Sequence, residues 1–104
     1  MSSRWPALPK EFQGAGGRVR VRLVKREKAD DGRPAWGTWE PATRIIRIVR
    51  GSPPQHRWKV FYHEWMHACL HDSGIEEQLS DEGNEAMCQA YAAARMAEML
   101  AQMG

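Results

Sequence analysis

Val19, Val21 and Leu23 alternate with Arg18, Arg20 and Arg22. Successive side chains of a strand point to opposite faces, so this run predicts a strand with apolar residues inward and three arginines on the open face. A second apolar run, Arg44-Ile45-Ile46-Arg47-Ile48-Val49-Arg50, predicts another strand. Before it, Ala35–Glu40 predicts a shorter one that carries Trp36 and Trp39. Lys25 to Pro34, with Asp30-Asp31-Gly32, and Glu40-Pro41-Ala42-Thr43 have the composition of a loop and a turn.

The pattern then changes period. Gly51-Ser52-Pro53-Pro54 ends the third strand and opens a helix, with Ser52 as N-cap and proline in the first turn. That helix is expected to reach about Ser73 and to stop at a left-handed Gly74. Ile75 to Leu79 connects to a second helix capped by Ser80 or Asp81, whose Met87, Cys88, Tyr91, Ala94, Met96, Met99 and Leu100 supply apolar contacts. The order β-β-β-α-α predicts an α+β domain, a small three-stranded sheet packed on two helices. Residues 1–17, ending in Gly14-Ala15-Gly16-Gly17, read as a flexible N-terminal tail, leaving 18–104 as the single domain.

Length agrees with this, since 104 residues suffice for one core without disulfides. No apolar run is long enough to span a bilayer, and Met1-Ser2-Ser3-Arg4-Trp5-Pro6 lacks a signal-peptide core. A cytoplasmic protein with no membrane partner is expected. Cys69 and Cys88 fall inside predicted helices, so they read as reduced thiols rather than a disulfide framework. The net charge of +2 conceals a division. Residues 1–60 hold fourteen Lys/Arg against five Asp/Glu, and residues 61–104 hold one (Arg95) against eight. A basic half can attract nucleic acid or an acidic protein, although strand arginines also serve as a plain solvated face.

The chemistry is concentrated in His63-Glu64-Trp65-Met66-His67, an H-E-x-x-H run. Residues i and i+4 share a helix face, so both imidazoles can hold one zinc ion, with Glu64 placed to act as general base towards its water. Val60, Phe61, Tyr62, Trp65, Met66, Ala68, Cys69 and Leu70 surround the motif without Gly or Pro, as on an interior helix. A polar cluster in such a helix is expensive unless a metal satisfies it.

Two histidines leave the site open, and a third ligand must come from elsewhere. Leu70 and Ser73 stand where a metzincin extension needs Gly and His. His71 lies about 6 Å of helix rise beyond His67, too far for one tetrahedron, and reads as a cleft-wall or helix-end residue. The second helix offers Glu82 and Glu85. If the connector reverses the chain, Glu85 returns about 7.5 Å from Ser80 and comes level with the metal, whereas Glu82 returns about 3 Å. Glu85 is the better placed, with Glu82 the alternative.

His63-Glu64-x-x-His67 on one helix, a strand before it, and Asn84-Glu85-Ala86 opening the next resemble the gluzincin-type zinc metallopeptidases. The similarity is greatest to minimal forms such as small phage and prophage zincins and the ImmA/IrrE-like group, over about residues 18–100. The resemblance implies a zincin-like fold, one Zn2+ on His63, His67 and Glu85, and Glu64 as catalytic base in peptide-bond hydrolysis. It also implies a protein or peptide substrate lying along the edge strand, expected at Arg44–Arg50. It places no oxyanion stabiliser, for which Tyr62, His71 and Tyr91 are the candidates. The alternative is a zinc-stabilised binding module, with nucleic acid as a partner, but such a site needs no base between its histidines.

Overall fold

A computed structural model describes residues 4–104 as four strands followed by two helices. The alternation read in the sequence forms β2 (Gly17–Val24), in which Val19 and Val21 are buried while Arg18, Arg20 and Arg22 face solvent. Leu23 shares the apolar face but is 49 % exposed, at the end of the strand beside the N-terminal segment. The Trp- and Ile-bearing runs form β3 (Gly37–Glu40) and β4 (Ile45–Val49).

The sheet has four strands rather than the expected three. β1 (Glu11–Gly14), inside the segment read as a tail, pairs antiparallel with β2 through Phe12↔Val19 and Gly14↔Gly17. The glycine-rich stretch is a hairpin, with Ala15 and Gly16 between the strands. Gly17 holds φ 132°, a conformation that a Cβ disfavours. The strand order is β1-β2-β4-β3. β4 runs parallel to β2 and antiparallel to β3, so β4 is central and β3 is the edge. This corrects the expectation of an edge at Arg44–Arg50: β4 spends both of its sides on neighbouring strands.

Register puts Phe12, Val19, Val21, Ile46, Ile48 and Trp39 on one face. Against it packs α1 (Pro54–Ser73), through Trp58, Phe61 and Trp65. Val19, Ile46, Ile48 and Phe61 are almost wholly buried, each contributing about 1.5–3 kcal/mol. α1 opens on Pro53-Pro54 and stops at Gly74, φ 78°, whose N–H donates to His71 O at 3.1 Å. Ser52 is not its cap. Its hydroxyl donates to Val49 O at 2.9 Å, which keeps Ser52 in the turn leaving β4.

A 3-10 turn, Ile75–Gln78, leads into α2 (Asp81–Met103), capped by Ser80, whose Oγ accepts from Gly83 N at 2.9 Å. α2 returns antiparallel along α1, with Glu85 beside His67 and Tyr91 against Tyr62. Among the described residues no helix is long and apolar enough to cross a membrane.

One ion pair ties the far end of α1 to two turns of the sheet. The Asp72 carboxylate, 3 % exposed, accepts from Arg44 Nη1 at 2.8 Å and Nη2 at 2.9 Å, and from Gly16 N at 2.9 Å. Arg44 adopts φ 55° to make this reach, and its guanidinium also donates to Gly17 O at 3.1 Å. A Cβ on Gly16 would lie 2.7 Å from Asp72 Oδ1, so the hairpin can approach only with glycine there.

Candidate metal centre

One helical turn separates His63 from His67 on α1, which puts their rings 4.9 Å apart on the face turned towards α2. Glu85 enters from the second turn of α2 and reaches both. Its Oε1 lies 2.7 Å from His67 Nε2 and its Oε2 lies 3.2 Å from His63 Nε2. Ligand atoms of these three residues all fall within 4.8 Å of one another. Ligands of a tetrahedral zinc stand roughly 3.4 Å apart for bonds of about 2.0–2.1 Å, so small side-chain rotations open this cluster around an ion. Glu82 is not part of the cluster among the described residues.

The electrostatics point the same way. Glu64 is 9 % exposed, and burial, with the Glu85 carboxylate beside it, pushes its carboxyl up to about 8. Burial likewise lowers the pKa of His63, against the opposing pull of Glu85, which favours the neutral imidazole that binds metal. A buried acid beside a second acid, with the His63 imidazole favoured in its neutral form alongside, is an arrangement that a divalent cation compensates. The residues present therefore fit zinc. Cys69 and Cys88 do not join them: burial raises both thiols, which keeps them protonated.

A cavity of about 260 Å³ opens on this cluster, lined by His63, Glu64, Glu85, Val60, Gly37 and Trp36, with His56, Lys59 and Gln89 at its sides. Gly37 allows β3 to lie against α1 here. A Cβ at that position would collide with Val60 Cγ1 and come within 3.0 Å of Arg47 O. His56 and Lys59 were absent from the sequence-derived site, although they stand seven and four residues before His63, on the same helix face. Trp36 and Gly37 had no local signal, because the packing of sheet on helix brings them to the cavity.

The three side chains considered for oxyanion stabilisation lie elsewhere. Tyr62 is buried in the core, stacked on Trp65 at 5.9 Å and beneath the Arg95 guanidinium at 5.0 Å. Tyr91 meets the same two aromatic rings edge-on. His71 Nδ1 pairs with Glu76 Oε1 at 2.7 Å, one turn beyond the cluster and beside Trp39. None of the three lines the cavity.

No curated protein and no solved structure matches the chain significantly. One family model does, that of the IrrE N-terminal-like domain among the peptidases, over residues 18–101. The match takes in β2, β3, β4, α1 and nearly all of α2, and with them every residue of the His63–His67–Glu85 cluster. The chain belongs to the IrrE N-terminal-like, zincin-type family of metallopeptidases.

Proposed function

We propose that this domain is a zinc-dependent metallopeptidase of gluzincin type with a zincin-like fold. The observation that carries the reading is the meeting of His63, His67 and Glu85 in one ligand cluster, beside a cavity that a buried carboxyl outside the cluster, Glu64, helps to line. The chemistry a zinc ion supplies when bound there is Lewis acidity, towards a carbonyl oxygen and towards water. His63, His67 and Glu85 hold it, and Glu85, whose side chain is 56 % exposed, leaves one side of the site open to substrate. A closed structural site would have a fourth protein ligand there.

Glu64 takes the proton from the attacking water and delivers it to the leaving amine. Its burial suits both transfers, because a carboxyl whose proton affinity is raised towards neutral pH holds a proton long enough to pass it on. The substrate main chain adds to β3, an edge strand whose Gly37, with Trp36 just before it, borders the cavity, and main-chain pairing asks little of the substrate's sequence.

The test is cleavage of an unfolded protein substrate by wild type and by Glu64→Gln, with zinc content measured in the same samples. Zinc-loaded wild type should cleave, lose activity to a chelator and regain it with zinc. Glu64→Gln should keep its zinc and lose about a hundredfold or more in rate. Equal rates in the two proteins, or no cleavage by zinc-loaded wild type, would contradict the reading.

A further inference from the structure

Among the described residues Trp36 is the most exposed large hydrophobic side chain, at 57 %. It stands just before β3, edge-on to His56 at 5.0 Å between ring centroids, and forms one wall of the metal cavity. It is also a wall of a second groove, of about 430 Å³, floored by Pro34, Ala35 and Val49 and rimmed by Lys25, Arg26 and Lys28. The shared indole puts the groove and the metal cavity side by side.

Away from Glu64 and the ligand cluster with its Glu85, the charge along this path is mostly positive. Lys25, Arg26 and Lys28 rim the groove, and Lys59 lies one helical turn before His63 at the cavity. All four are exposed, and none forms an ion pair among the described residues. The one acid in the groove lining, Glu27, is held by neutral donors and leaves the lining with three cations to one anion. Its Oε2 accepts from Thr38 Oγ1 at 2.7 Å and its Oε1 from Lys28 N at 3.0 Å. An apolar floor with a net cationic rim, next to the metal cavity, complements an acidic peptide segment with apolar side chains.

We propose that the groove beyond Trp36 is a substrate subsite that selects peptide segments in which an acidic side chain accompanies an apolar one. The apolar side chain lies against the indole and the floor, and the acid faces Lys59 and the Lys25–Lys28 rim. The assignment rests on the peptidase reading for the substrate's path, but its test does not need catalysis. Charge complementarity favours a peptide over a nucleic acid here, because the floor is apolar and a single tryptophan offers no run of stacking platforms for successive bases.

The experiment uses zinc-loaded Glu64→Gln protein and two dye-labelled pools of random short peptides. One pool has Asp and Glu as its only charged residues, the other Lys and Arg, and binding is read by fluorescence anisotropy. The acidic pool should bind about tenfold more tightly, with the preference shrinking as salt rises. Lys59→Glu, and separately Lys25→Glu with Lys28→Glu, should each reduce the preference by about threefold or more, and Trp36→Ala should weaken the acidic pool at any salt. The lysines are exposed and unpaired, and the Lys25/Lys28 reversal is remote from the metal ligands, so a folding defect in one variant leaves the other to decide.

Equal binding of the two pools, no binding of either, or a preference untouched by the reversals would overturn the subsite. Single-stranded DNA that displaces the acidic pool and depends on the same lysines would reassign the groove and overturn it as well. Acidic preference in a protein that cleaves nothing would sink the peptidase reading and keep the groove. Cleavage without acidic preference would do the reverse.

Discussion

Glu64 and Gly37 face each other across the candidate site, and they differ in how far the sequence announces them. Glu64 is fixed by its place in the H-E-x-x-H run, because helical spacing alone sets it beside the two imidazoles. Glu85 was within reach too, since helix rise along two antiparallel helices brings it level with His67. Gly37 shows itself only when sheet and helix are packed together. Its hydrogen is what lets β3 border the cavity, so Gly37→Ala should destabilise the fold by about 1–3 kcal/mol, read as a lower urea midpoint. Adding Val60→Ala removes the colliding Cγ1 and should recover part of the loss relative to Val60→Ala alone; an unchanged midpoint in Gly37→Ala would contradict the close approach. Tyr62, His71 and Tyr91 missed the cavity for a related reason. Helical spacing gives the angle between residues on one helix, but which way a face points depends on the partner it packs against.

At the level of elements, β2, β4 and both helices were legible because each keeps one period over enough residues. β1 was not: four residues ending in a glycine-rich stretch have the composition of a linker as much as of a hairpin. Strand order was not legible either, since nothing local distinguishes a central β4 from an edge one. Beside the apolar core, the carboxylate of Asp72 ties the end of α1 to two turns of the sheet. Arg44's hydrogen bonds hold that carboxyl below its ordinary value of 3.8, so the stabilisation is complete above that value and is lost as pH falls through the lower folded one. Asp72→Asn should therefore cost about 2 kcal/mol at neutral pH. The gap between variant and wild type should narrow on acidification below pH 3.8, as chemical denaturation across pH would show. A gap that widens in acid would mean the ion pair has the opposite linkage.

The whole molecule separates charge along the chain: fourteen of its fifteen Lys/Arg lie in the first sixty residues, while eight of its thirteen acids lie in the remainder. That division could be read directly from the sequence, whereas the path it makes past Trp36 required the fold. The cluster joins His63 and His67 of α1 to Glu85 of α2, so a bound ion should brace one helix against the other. Zinc at a hundred times its Kd should add about 2.7 kcal/mol to stability. For a chain of this size that raises Tm by about 10–20 °C, and calorimetry showing no zinc-dependent shift would count against a native-state site. The central claim is that α1 supplies two ligands and α2 the third. Its most direct measurement is zinc affinity by chelator competition in wild type, Glu85→Ala and Glu82→Ala. Wild type should hold about one equivalent of zinc, Glu85→Ala should lose at least about tenfold in affinity, and Glu82→Ala should change little. Zinc held as tightly by Glu85→Ala as by wild type, or lost instead in Glu82→Ala, would contradict it.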